Sequence, residues 1–427
     1  ENGAGLGGLA GAPQFSRNAG AFAIPFHLTL SVSSPHARIH YTLDSSEPTE
    51  FSPRYRDPIA INHSMEVRAR IYEPDMVPGP VISHMYFALA EDICDFSSNL
   101  PIVIVDTRGR VIPESHSGTY AETHSLFFDV DGAGRSSFGC AVDFAGRMGV
   151  RIRGRSSAAF PKKQYKIELW DDNNRSHDNS LLGLPPESDW VLWAPYSDKS
   201  LIRNYLAYRW WGQLGHYSVR TRFCEVFLNE NGANRISYAQ HYVGVYLLVE
   251  HIKIGQERVD IARLSPEDNA EPHITGGYII EMGNANPGGW NSNISGQTVE
   301  FDYWRPRENK LTSEQQTWVQ DYIRRFETAL YGPEFCDPVS GYAWYTDVGS
   351  QVDYEIMREF TRNFDGGSTF MHIDRGGQLA MGPLWDYNMA IGNVNYAHDD
   401  IPGYHTTGWN NSYMAPGVNG WCPWWRR

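Results

Sequence analysis

LAMGPLWDYNMAIGN (379–393) sets one acidic residue, Asp386, inside an apolar and aromatic run. Leu384, Trp385, Met389 and Ile391 flank it, so the segment reads as largely buried. Its carboxylate then needs a partner: an arginine, a set of backbone donors or a metal ion. Upstream, NFDGGS (363–368) carries a second carboxylate, Asp365, before a glycine pair that lets the backbone bend and approach a ligand closely. Two carboxylates on neighbouring segments, one in a loop and one at a strand end, suit metal-assisted phosphoryl transfer. One orients the nucleophile and the other holds magnesium. A buried Asp paired with an arginine, beside an ordinary Asp-Gly turn, accounts for the same residues and stays open at this point.

The chain around these segments has 427 residues, too many for one small core, so two or three domains are expected. Hydrophobic content of 41% with 20% charged residues belongs to a folded globular protein. A net charge of −14 excludes a general nucleic-acid binder, which needs a basic surface. No apolar run approaches the ~20 residues that cross a bilayer, so no membrane span is expected. The start, ENGAGLGGLAGAP (1–13), reads as a flexible leader over residues 1–11. Cys94, Cys140, Cys224, Cys336 and Cys422 are scattered without a CxxC or a Cys/His cluster, which argues against a zinc site. Their spacing is compatible with export and one or two disulfides.

Residues 12–88 read as a small β-sandwich. FHLTLSV (26–32), RIHYTL (38–43), MEVRARIY (65–72) and VISHMYF (81–87) are short β-branched and aromatic runs separated by Pro, Ser, Asp and Asn turns. A linker over 88–100 leads to the buried strand PIVIVDT (101–107). RMGVRIRGRSSAAFPKKQYK (147–166) then carries seven basic residues and no acidic one. Alternation puts Arg151, Arg153 and Arg155 on one strand face, and Gly154 with Ser156 and Ser157 forms a donor-rich turn. Such a hairpin can cover a polyphosphate with a lysine reaching it, or it can be an edge strand protected by its charges. Lys162 and Lys166 fall on one face by parity. A helix follows in SDKSLIRNYLAYRWWGQLG (197–215), capped by Asp198 or Ser200. Glu250 and Glu281 each end an apolar strand, as solvated ends or as partners of a basic residue. Residues 311–330 and 352–361 are helical by periodicity, the first capped near Thr312 or Ser313. After Asn393 the chain is Tyr-, Trp- and Gly-rich, and its end at WCPWWRR leads us to expect that the domain's last helices lie beyond it.

YTLDSSEPT (41–49), with Tyr55 and the VRARIY strand, resembles the chitobiase C-terminal-type immunoglobulin-like module, which implies a structural spacer or docking domain. VRIRGRSSAAFPKKQYKIEL, SDWVLWAPYSDKSLIRN, VGVYLLVEHI, GGYIIEM and the pair NFDGGSTFMHIDR and GGQLAMGPLWDYNMAIGN together resemble the CotH kinase family, over roughly three-quarters of the chain. The implied fold class is α+β: an atypical protein-kinase-like domain over 97–427, preceded by the all-β sandwich. The resemblance implies Asp365 as the catalytic-loop aspartate and Asp386 as the metal-binding one. Asn388 becomes either a second metal ligand or a turn cap. It makes Arg153, Gly154 and Ser156 part of a phosphate-covering hairpin and Lys162, or else Lys166, its phosphate lysine. Glu250 or Glu281 would fix that lysine. The implied cofactors are ATP with Mg2+ or Mn2+, and the implied partner is a protein substrate phosphorylated on Ser, Thr or Tyr, or an extracellular assembly partner. An immunoglobulin-like module ahead of such a domain implies a secreted or cell-surface bacterial protein. An extracellular structural or adhesive protein on a catalytically lapsed scaffold is the alternative, and the Tyr/Trp-rich loops leave carbohydrate contact open.

Overall fold

The computed structural model of the chain describes residues 7–115, 117–283, 288–296, 298–363, 368–394 and 424. Strands and helices fall in separate runs, the expected α+β arrangement. They divide into two compact units, residues 1–194 with 221–250 and residues 195–220 with 251–427.

The first unit opens on the sandwich. Its main sheet holds β1 (Gly20–Phe22), β2 (Arg38–Thr42), β3 (Met65–Tyr72) and β4 (Ile82–Ala88) in the order β1-β4-β3-β2. Alternation along β3 turns Met65, Val67, Ala69 and Ile71 into the sandwich core, where Leu28, Ile59 and Ile61 meet them. On the other face of β3 an isolated sandwich would keep its polar residues in water, yet Glu66 and Arg68 there are buried. β4 repeats the pattern, with Tyr86 and Ala88 in the sandwich core and Met85 and Phe87 in a different one.

That other core is shared with a closed barrel of β5 (Ile102–Asp106), β6 (Ala121–Phe128), β7 (Val142–Arg153), β8 (Gln164–Trp170), β9 (Asp189–Trp193), β10 (Thr221–Asn229) and β11 (Tyr242–Glu250). The order is β5-β6-β7-β8-β9-β11-β10, and parallel pairing of β5 with β10 closes the ring. Met148, Val150, Ile152, Tyr165, Ile167, Leu169, Tyr246 and Leu248 fill its interior. Ile102, Ile104, Leu126, Phe128 and Phe227 lie on its wall and pack against Met85, Phe87, Leu89 and Ile93. Residues 88–100, expected as a linker, are thus built into a core, and the sandwich is no tethered spacer. Burial on both faces of β3 and β4 removes the freedom a spacer needs.

Polar groups complete this junction. Arg147 of β7 donates to Glu66 of β3 and to Glu122 of β6, and its Nε donates to Asn174 Oδ1 at 2.7 Å. His124 Nε2 lies 3.0 Å from Glu66. Arg68 donates to the Asp172 carbonyl at 2.5 Å. Glu66, Glu122 and His124 have the spacing of a metal-ligand set. The Arg147 guanidinium already lies on both carboxylates, however, so the group is an ion-pair network.

The second unit is built on an antiparallel sheet of β12 (Tyr278–Met282), β13 (Trp290–Ser292), β14 (Val299–Arg305), β15 (Thr369–Ile373) and β16 (Leu379–Met381), ordered β13-β14-β12-β15-β16. With it belong α1 (Arg203–Gln213), α2 (Ser313–Tyr331) and α3 (Val348–Thr361). Thr312 and Gln315 form the expected capping box at the start of α2. β16 leads into residues 382–394, so sheet and helices together fix where the Asp386 loop begins. Among the described residues no helix is long and apolar enough to cross a membrane. The described cysteines, Cys94, Cys140, Cys224 and Cys336, are free thiols, so none of them forms the disulfides that their spacing allowed.

Candidate functional site

Asp386 is half-buried and holds a left-handed backbone conformation (φ 61°) that L-residues other than Asn and Asp seldom adopt. Its amide donates to the Tyr208 hydroxyl at 3.3 Å, and the Tyr208 ring stacks on Trp385. α1 thereby fixes the residue before the carboxylate as well as the residue itself. Two positions on, the Asn388 amide group donates to Ser197 Oγ at 3.1 Å. Asn393 donates to the Asn388 carbonyl at 2.8 Å and to the Ser197 carbonyl at 3.2 Å. Among the described residues Asn388 Oδ1 is buried with no hydrogen-bond partner. A buried amide oxygen left in this way costs about 1–3 kcal/mol unless a ligand satisfies it. A carboxylate and an amide oxygen two residues apart are donors that Mg2+ accepts, with waters and phosphate oxygens completing the shell. The residues present therefore fit a divalent cation.

The far end of the loop is held by Arg203, which the sequence reading quoted without a role, and by Asp198, which it offered only as a helix cap. Ile391 is β-branched and left-handed (φ 52°), a costly conformation. Its amide donates to the Thr361 carbonyl at 2.6 Å, and its carbonyl accepts from Arg203 Nε and Nη2 at 3.4 and 3.3 Å. Arg203 Nη1 donates in turn to Asp198 Oδ1 at 2.5 Å. Asp198 Oδ2 accepts the Arg203 amide at 2.9 Å, but the N-cap position of α1 is Ile202 and carries no side-chain cap bond, so neither Asp198 nor Ser200 is the N-cap that the sequence led us to expect. The signal was Asp198 and Arg203 at opposite ends of DKSLIR. Asp365 lies outside the described residues.

In the first unit the basic stretch does not act as one surface. Arg147 belongs to the junction described above, and Arg151 lies over the Tyr120 ring. β7 and β8 pair Arg151 with Lys166 and Arg153 with Gln164, residues that alternate with the interior set and so face outward. Lys166 is ion-paired with Asp189 at 2.9 Å, and Arg153 donates to Gln164 at 3.2 Å. Lys162 and Lys166 do not share a face, as parity had implied. β8 begins only at Gln164, and the chain before it turns Lys162 across the barrel to donate to the Val245 carbonyl at 2.7 Å. Its Nζ also sits over the Tyr246 ring. Gly244 is left-handed (φ 87°), and a Cβ there would meet Lys162 Nζ at 3.3 Å, so glycine keeps the lysine's path open.

Gly154 (φ 114°) makes the turn ahead of Lys162, and a side chain there would collide with Ser157 Oγ at 2.1 Å. Ser156 is exposed at the start of a single 3-10 turn, Ser156–Ala159. Glu250 is buried at the end of β11, five residues beyond Val245, which strand rise converts to about 16 Å. Lys162 at Val245 and Glu250 are therefore not brought together along that strand. Glu230, which the sequence reading passed over, acts electrostatically on Tyr165 and Tyr246, and burial raises its carboxyl above the usual range. Glu281 is buried in β12 of the second unit, opposite Asp302 and Phe370.

A search among curated proteins found no match. Residues 28–86 match the family model described as Fn3 associated, over the immunoglobulin-like sandwich. Residues 150–427 match the model described as CotH kinase protein, from within β7 through the basic turn, Lys162, α1 and the Asp386 loop. With more than half of its length matched, the chain belongs to the CotH kinase protein family.

Proposed function

We propose that this kinase-like protein transfers the terminal phosphoryl group of ATP to a Ser, Thr or Tyr hydroxyl of an extracellular or surface protein, with Mg2+ or Mn2+ as its metal. The observation that carries the reading is the buried Oδ1 of Asn388, unpartnered among the described residues, two positions beyond Asp386. Asp386 and Asn388 would hold the cation, which when bound neutralises charge on the phosphate oxygens. In the first unit Lys162 would contact phosphate, as the family resemblance implies, with Gly154 and Ser156 in the turn ahead of it, while Arg153 and Lys166 face outward from the barrel. Asp365 would orient the acceptor hydroxyl, as its place in NFDGGS implies.

Incubation of the protein with radiolabelled ATP, Mg2+ or Mn2+ and a surface-protein extract tests the reading. Label should enter protein, and Mg-ATP at a hundred times its Kd should stabilise the wild type by about 2.7 kcal/mol. Lys162→Ala should respond less. Equal thermal shifts in both proteins, with no incorporation by the wild type, would favour the structural or adhesive alternative. The proposed site of action is outside the cytoplasm, supported by the immunoglobulin-like module ahead of the kinase-like domain. Fractionated cells should yield the protein in the medium or at the surface, and recovery mainly from cytosol would overturn that placement.

A further inference from the structure

The Asp386 loop is strained at both ends, left-handed at Asp386 and again at Ile391. The groups that hold its far end, Asp198 and Arg203, come from the segment before α1 and from its first residue, distant in sequence but within the same unit. Asp198 is fully buried, and its oxygens accept from the Ser200 amide (3.1 Å), the Ser200 hydroxyl (2.7 Å), Arg203 Nη1 (2.5 Å) and the Arg203 amide (2.9 Å). With Asp198 anchored in this way, the guanidinium has a fixed plane. Its other two nitrogens converge on the single carbonyl of Ile391. A lysine would carry the same charge but could not hold the carboxylate and the carbonyl together in that geometry.

We propose that Arg203 is the positioning residue for the metal loop: it ties Asp198 to the Ile391 carbonyl and so holds Asp386 and Asn388 where a divalent cation can be bound. The inference rests on the metal reading of Asp386 and Asn388 given above. Arg203 touches no metal ligand directly. Its effect passes through Ile391 and the Asn393 and Ser197 bonds that frame Asn388. Outer partners of this kind change metal affinity by about 10–100-fold when removed.

Mn2+ binding to the whole chain, followed by the paramagnetic resonance of the free ion, separates the outcomes without an activity assay. The wild type should bind Mn2+, and Arg203→Lys should bind it at least about tenfold more weakly, with little change in melting temperature. In the phosphate-transfer assay the same variant should need more metal for half-maximal rate and recover most of its rate at saturating metal. Arg203→Lys with Ile391→Gly supplies a second readout. Glycine adopts the left-handed conformation freely, so the double variant should regain much of the lost affinity. Equal Mn2+ affinity in wild type and Arg203→Lys would overturn the inference and leave the metal reading standing. No Mn2+ binding by the wild type would overturn both. Lost affinity that Ile391→Gly does not restore would show that Arg203 acts other than through this loop.

Discussion

Asp386→Asn is expected to lower phosphate transfer by about a thousandfold while leaving the protein folded. A metal that has lost its carboxylate ligand gives up several kcal/mol of transition-state stabilisation, and each 1.36 kcal/mol is about tenfold in rate. Asparagine is the informative replacement because Asp386 is left-handed (φ 61°), a conformation that asparagine tolerates and alanine does not. The backbone bond from residue 386 to the Tyr208 hydroxyl survives the change, as does the stacking of Tyr208 on Trp385. A fall in activity can then be read as lost chemistry rather than a displaced loop. Metal titration should show weaker binding in parallel. By contrast, Asp365→Ala should mainly reduce turnover at saturating nucleotide, since an acceptor-orienting group acts after ATP and metal are bound. Incorporation by Asp386→Asn within about tenfold of the wild type would mean that the metal is held elsewhere.

The strands were legible because their β-branched and aromatic runs are long relative to their turns, and the helices because caps such as Thr312 stand ahead of periodic apolar residues. Asp386 was legible for the opposite reason, as a carboxylate where apolar patterning predicted none. What sequence could not supply was which polar residues meet. Arg147 read as one of seven basic neighbours, yet its partners are Glu66 and Glu122, strands away. Lys162 broke parity because strand geometry begins two residues after it, at Gln164. Glu66 and Arg68 alternate with core residues as solvent-facing positions do, and only the barrel beyond them reveals that the face is covered. Arg203 lay in plain view within SLIRN, but its role depends on the conformation of Ile391, far along the chain.

The junction between sandwich and barrel gives the largest stability effect we expect. Arg147→Met should cost about 3–5 kcal/mol, because it leaves Glu66 buried without its guanidinium. For a unit of this size that is a fall of roughly 6–20 °C in melting temperature. Burial raises the proton affinity of Glu66, but the neighbouring His124, its hydrogen bond and Arg147 together outweigh that, and the carboxyl sits well below its ordinary 4.5. The sign of the pH dependence follows. A depressed carboxyl adds stability that is fully present above its unfolded value near 4.5 and is lost as pH falls toward the folded value. The wild type should therefore weaken progressively below about pH 4.5, and Glu66→Gln should flatten that decline while lowering stability at neutral pH. Removing both charges at once, as Glu66→Leu with Arg147→Met, should recover much of the loss, since apolar replacement of a buried pair is often neutral or better. Calorimetry of the four proteins across pH 3–7 decides the matter. If Arg147→Met melts within about 2 °C of the wild type, the ion pair is hydrated and the sandwich is held by the shared apolar core alone, through Met85, Phe87 and Leu89 against Leu126, Phe128 and Phe227.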